Sequence, residues 1–239
     1  ERDRYPAFRI PIVCIPVSID NNLPGSELAV GADTALQALV DVIDRVKTSA
    51  EAVHRCFVVE TMGRYCGYLA SMGALAGGAE LLYLHEEGIT LERLNADAAW
   101  MVDNFKAGRE LVLAIRNERA NDLYTTDFLA RVFEEEGKGL FDVRQTIVGH
   151  QQQGGSPSPF DRLLGTRLAS RALHLIADDF AAGASEGFYV GLMESTIQHR
   201  PLSGMMAEMD ERHRRPKVQW WLNLRPIVKT VSVRRGGAE

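Results

Sequence analysis

The sequence has few cysteines. Cys14, Cys56 and Cys66 are odd in number, sit in apolar or Gly-rich surroundings, and show no CxxC spacing. That favours reduced, packed thiols in a cytoplasmic protein over a disulfide framework or a zinc site. No apolar run approaches the ~20 residues of a transmembrane helix, and the charged opening ERDRYPAFR is not a signal peptide. Positive charge is not in excess: the formal net charge is −5 over 239 residues. A dominant nucleic-acid or membrane-surface role is therefore disfavoured, while a local arginine cluster could still bind a small anion. Neither GxGxxG nor GxxxxGK[ST] occurs, so both common nucleotide phosphate cradles are missing. There is no low-complexity linker and no internal repeat.

What is present is an ordinary globular composition, 46% apolar and 25% charged, arranged as an alternation of strand-like and helix-like segments. IPIVCIP reads as a buried strand. Leu36, Leu39, Val40, Ile43 and Val46 then recur at helical spacing, and RCFVVE from Arg55 to Glu60 reads as a second strand. Helices are predicted near Tyr68 to Leu75, near Leu91 to Phe105, from Thr125 or Thr126, and from about Asp161 to Phe180. Strands are predicted at ELLYL, ELVLAI, RQTIVG and FYVGLM. This order predicts an α/β fold with helices on both faces of largely parallel sheets. The first strand comes at once, so the chain reads as starting inside a fold, and the tail VSVRRGGAE reads as disordered.

Polar residues follow several of these strands: Asp20 and Asn22 in SIDNN, Arg64 closing TMGR, Glu118 in IRNE, and His150 after TIVG. In an open parallel sheet such positions converge at the carboxyl ends of the strands, where ligands bind. Carboxylates and amides suit hydroxyls, while arginine, histidine and backbone N–H groups suit phosphate. On its own residues Asp20 reads better as part of an Asx-rich turn than as a ligand group. Arg55 and Arg144 precede their strands and should point to the opposite edge. They are either solvated strand-start cations or groups that complete a phosphate site on a second subunit. Glu60 reads as a cap on the TMGRYCG turn, Glu134 to Glu136 as a solvated helix face, and Trp220 with Trp221 as a clasp for the C-terminal segment.

The motifs SIDNN, GADTAL, VVETMGRYCGYLA, EEGITL, NERANDLYTTDF, EEGKGLFD, VGHQQQGGSPSPFDR and RPKVQWWLNLRPIVK, in this order over nearly the whole chain, resemble the ATP-dependent 6-phosphofructokinases. NNLPGS, HQQQGG and the last motif resemble the C-terminal half of the duplicated eukaryotic-type enzyme. The resemblance implies a phosphofructokinase-like α/β fold and a fragment lacking the N-terminal nucleotide-binding segment. It implies residues 1–31 as the end of a nucleotide-type lobe with a ligand loop, 32–151 as a sugar-phosphate lobe, 152–199 as a return to the first lobe, and 200–239 as a C-terminal clasp and tail. The implied sugar-phosphate contacts are Ser18, Ile19, Asp20, Asn21, Asn22, Arg55, Met62, Gly63, Arg64, Glu118, Arg144, His150, Gln151, Gln152 and Gln153. Arg55 and Arg144 fall on the family's cross-subunit arginines, which implies an oligomer. Mg and ATP are implied for the complete enzyme of glycolysis, and neither a metal nor a nucleotide for this chain alone.

The departures from the family pattern bear on the role. The catalytic pattern is TIDND, whose first Asp is the base and whose second supports the metal nucleotide. Here Asp20 keeps the first position and Asn22 replaces the second. Regulatory halves usually have Ser for the first Asp and Gly for Arg64, and catalytic relatives have arginine at Gln153. The sequence is therefore a hybrid. Its leading reading is an allosteric site for a sugar bisphosphate such as fructose 2,6-bisphosphate. The alternatives are a catalytic half with Asp20 as base, and an architectural half without ligand.

Overall fold

Residues 4–5, 10–49, 54–182 and 187–233 are described by a computed structural model. Of the tail VSVRRGGAE, read as disordered, residues 231–233 instead end a helix, and residues 234–239 lie outside the described residues. In chain order the elements are β1 (Ile12–Cys14), α1 (Ala32–Thr48), β2 (Arg55–Thr61), α2 (Tyr68–Gly77), β3 (Leu81–Tyr83), α3 (Leu91–Lys106), β4 (Leu111–Asn117), α4 (Thr126–Gly137), β5 (Asp142–Ile147), α5 (Pro159–Ala181), β6 (Gly187–Met193), β7 (Thr196–Pro201), β8 (Met209–Asp210), β9 (Arg215–Pro216) and α6 (Arg225–Val233). They form two units, residues 1–34 with 156–218, and residues 35–155 with 219–239.

In the first unit β6 lies between β1 and β7. It runs parallel to β1, with Val13 opposite Phe188, and antiparallel to β7. α5 covers this sheet with Leu164, Leu168 and Leu175 packed on Val190 and Leu192. The helix starts where the sequence dictates. Ser158 Oγ accepts from the Asp161 N–H, and Pro159, which has no N–H to leave unsatisfied, occupies the first turn.

The second unit is a four-stranded sheet in the order β3-β4-β2-β5, parallel throughout. Its inner strands β2 and β4 are largely apolar on both faces, as burial between two helical layers requires, while the edge strand β5 is mostly exposed. Cys56 and Val58 of β2, Val112 and Ala114 of β4, and Val143 of β5 join Leu94, Met101, Leu129 and Phe133 of α3 and α4. Phe57, Val59, Leu113 and Ile115 face the other way, onto Leu39, Ile43, Ala70 and Ala74 of α1 and α2. Thr90 and Thr125 cap α3 and α4 by accepting from Arg93 N and Phe128 N, so the helix predicted to begin near Thr125 begins there because its first free N–H groups find a hydroxyl acceptor.

The C-terminal segment is clasped as its aromatic pair suggests. Trp221 is 1% exposed, and its ring meets Tyr68 edge-on at 5.4 Å. Arg225, at the start of α6, donates to Glu87 and to the Leu82 carbonyl. Among the described residues all three cysteines are free, and no helix is long and apolar enough to cross a membrane.

Candidate functional site

The parallel register of the second unit sets three loops at one sheet edge. Thr61 pairs with Asn117, and Glu60 with Ile147. Met62, Glu118 and the 3-10 turn Gly149–Gln153 therefore all emerge at the carboxyl ends of their strands. Hydrogen bonds then knit the loops together. The Arg64 N–H donates to Glu118 Oε1 at 2.8 Å, and the Met62 N–H donates to Gln152 Oε1 at 2.7 Å. Gln152 is 1% exposed, so its side chain supports the turn from beneath, and its Nε2 is buried without a partner. His150, Gln151 and Gln153 are exposed.

Gly63 is required here by conformation and by space. Its φ is +131°, and a Cβ would lie 2.5 Å from the Cys66 carbonyl oxygen and 2.9 Å from Asn117 Nδ2. Arg64 follows in the left-handed region, φ +49°, an uncommon conformation for a residue with a Cβ. The turn directs backbone outward and leaves the Arg64 side chain exposed.

Arg55 and Arg144 stand at the other end of the same sheet. Arg55 opens β2, and Arg144 is opposite Phe57, so both project on the α1 and α2 face near the amino ends of their strands. Both guanidinium groups reach Asp142, at 3.8 and 3.4 Å. The arginines thus form a local pair, and within this sheet they cannot join the loops at the carboxyl edge.

Ser18, Ile19, Asp20, Asn21 and Asn22 belong to the first unit. Asn21 has φ +53° and is 2% exposed. Its amide donates to the Glu27 carbonyl at 2.8 Å and accepts from the Ala29 N–H at 2.7 Å. Asn21 therefore holds the loop closed on itself. Ser18 Oγ donates to Asn22 Oδ1 at 2.7 Å and accepts from Asp20 N at 3.2 Å. This turn, held by its own short polar side chains, presents Asp20 as a carboxylate 8% exposed. The Asn22 oxygen that could have faced a cation is already an acceptor from Ser18. Among the described residues no group of three His, Cys, Asp or Glu could hold a metal ion.

Among the described residues, the most buried charge of the second unit lies outside those singled out from the sequence. Arg116 is 1% exposed, on the face of β4 that otherwise carries Val112 and Ala114. It donates through Nη1 to Glu60 Oε2 at 2.8 Å and to the Glu118 carbonyl at 3.1 Å, and through Nη2 to the Asn121 carbonyl at 2.7 Å. Thr126 Oγ1 also donates to Glu60. Glu60 is thus not a cap on the TMGR turn but the counter-ion of Arg116. Burial lowers the proton affinity of Arg116, and Glu60 acts against that loss. The signal in the sequence is an arginine inside an otherwise apolar strand. Glu134 to Glu136 are exposed, as a solvated helix face requires, and Glu134 also ties α4 to β5, its Oε2 accepting from the Val143 N–H at 2.6 Å.

Comparison with known families matches residues 2–176 to Phosphofructokinase. The chain belongs to the phosphofructokinase family. It is 41% identical over 242 residues to the muscle-type ATP-dependent 6-phosphofructokinase of Oryctolagus cuniculus, covering 97% of this chain and 31% of the relative. It is 40% identical to the platelet type of Homo sapiens, with the same coverage. Among solved structures, phosphofructokinase from Saccharomyces cerevisiae matches with a TM-score of 0.90 and 36% identity over 97% of this chain and 33% of that one. Pichia pastoris phosphofructokinase in the T-state matches with 0.89 and 32% over 100% and 29%. This phosphofructokinase chain spans about a third of the length of the relatives it matches.

Proposed function

We propose that the chain is the C-terminal half of a duplicated, ATP-dependent 6-phosphofructokinase of the cytoplasm, and that this half binds a sugar phosphate or bisphosphate effector. The complete protein would use Mg and ATP to convert fructose 6-phosphate to fructose 1,6-bisphosphate. The observation that carries the binding role is the knitted edge of the second unit, where Glu118 meets the Gly63–Arg64 turn. Glu118 Oε2 makes no hydrogen bond among the described residues, which leaves an acceptor for a hydroxyl. Arg64 and His150, both exposed at the same edge, offer charge and hydrogen-bond donors to phosphate. The amino-end pair, Arg55 and Arg144, points away from this edge. In this reading it serves a phosphate held by another subunit.

An effector role is favoured over a catalytic one by Asn22. Its amide replaces a carboxylate and is committed to Ser18, so the usual support for a metal nucleotide is missing. Asp20 then serves the first unit as a ligand contact and not as the base. The deciding measurement is turnover of the full-length enzyme carrying Asp20→Asn, at saturating substrates, across a titration of fructose 2,6-bisphosphate. The expected outcome is a rise in the effector concentration needed for half-activation. A positioned general base contributes ~10²–10⁴-fold, so a hundredfold fall in turnover that effector does not restore would make Asp20 the base.

A further inference from the structure

We propose that Arg116 is the positioning residue of the sugar-phosphate site, holding Glu118 in place against the Met62–Arg64 turn. The inference rests on the sugar-phosphate reading above.

A buried guanidinium is costly, and the position it occupies is built for an aliphatic side chain. Val112 and Ala114 precede it on the same face of β4, both fully buried. What the arginine adds is reach to separate segments. Glu60 lies near the end of β2, Glu118 and Asn121 belong to the turn after β4, and Thr126 opens α4 and bonds the same Glu60. A planar fork of donors can serve these acceptors together, whereas a lysine ammonium on a flexible stem cannot hold the same geometry.

The consequence falls on Glu118. Its backbone is fixed from both sides, the N–H donating to the Thr61 carbonyl at 2.9 Å and the carbonyl accepting from Arg116. With the backbone held, the side chain has one oxygen on the Arg64 N–H and the other turned to a ligand hydroxyl. Arg116 touches no ligand in this arrangement. It acts only through Glu118.

The test uses the full-length oligomer with the double substitution Glu60→Gln, Arg116→Met. Met fills much of the arginine volume, and Gln keeps an acceptor for Thr126, so no unpaired buried charge remains. Calorimetry compares fructose 2,6-bisphosphate with pyrophosphate, an anion that has no hydroxyls. The expected result is a loss about tenfold larger for the sugar bisphosphate than for pyrophosphate, the equivalent of one misplaced hydrogen bond. Amide hydrogen exchange without ligand should quicken at Arg64 and Glu118. Arg116→Lys, which keeps the charge, should not restore sugar affinity. Equal loss for both anions, or unchanged exchange at Arg64 and Glu118 in the folded variant, would overturn the positioning role. Wild type that binds neither anion would overturn the sugar-phosphate reading, and the exchange measurement still decides the brace.

Discussion

Single residues carry unequal weight, and burial decides which. In the Glu60–Arg116 pair the arginine side chain is 2% exposed and the carboxylate 19%. Removing Glu60 leaves a desolvated cation without its counter-ion, whereas removing Arg116 leaves a carboxylate that water reaches in part. Glu60→Leu should therefore cost about 3–5 kcal/mol, and Arg116→Met clearly less, as read from melting of the full-length protein. Gly63 makes a second case. Any side chain there meets the Cys66 carbonyl and a disfavoured φ at once, so Gly63→Ala should cost at least about 1–3 kcal/mol in strain. It should also weaken sugar-phosphate binding, because the Arg64 N–H would leave Glu118. Glu60 and Gly63 share the motif VVETMGRYCGYLA. The requirement for glycine is legible there, because its freedom is local, and that for Glu60 is not, because its partner is 56 residues away.

At the scale of elements, α6 is held by aromatic packing and by one ionic latch. Trp221 is buried against Tyr68, and Trp221→Ala should destabilise the fold by about 3–5 kcal/mol. The latch is pH-sensitive. Burial pushes the Glu87 carboxyl up, but the hydrogen bond and charge of Arg225, with Arg93 beside it, outweigh burial and hold it below its ordinary range. A carboxylate depressed in the folded state contributes stability above its unfolded pKa, and that contribution is lost as pH falls through the folded value. Asp97 of the same cluster behaves oppositely, because burial raises it despite the bond from Tyr83 and the charges of Arg93 and Arg225. Its cost appears as pH rises. In an Asp97→Asn background, acidification below about pH 4 should therefore loosen α6, seen as a change in tryptophan fluorescence. Adding Glu87→Gln should abolish that dependence.

For the whole molecule, the decisive fact is that Arg55 and Arg144 sit at one end of the sheet while the Gly63 turn sits at the other. If they complete a site on another subunit, Arg144→Ala should weaken fructose 2,6-bisphosphate binding to the oligomer by roughly one to two decades, as a charge-assisted bond of ~1.5–3 kcal/mol requires. Unchanged affinity in Arg55→Ala and Arg144→Ala would leave them as strand-start cations paired with Asp142. The chain by itself should also show no ATP-dependent phosphorylation of fructose 6-phosphate in a coupled assay. Phosphoryl transfer depends on holding nucleotide, metal and acceptor in line, and its residues include neither common phosphate cradle.

By itself the sequence determined the order of elements as far as β6, the parallel character of the second sheet, the helix start near Thr125, and the loops that carry polar residues. These follow from periodicity and from backbone groups that neighbours in sequence must satisfy. Only the tertiary structure decided what those polar residues do. Asn21 closes its own loop, Gln152 supports the Met62 backbone, Glu134 meets the start of β5, and Glu60 neutralises Arg116. A strand's alternation says which face a side chain takes, but a buried polar group is stable only beside its partner. For Glu60 that partner comes from another strand, where no local pattern names it.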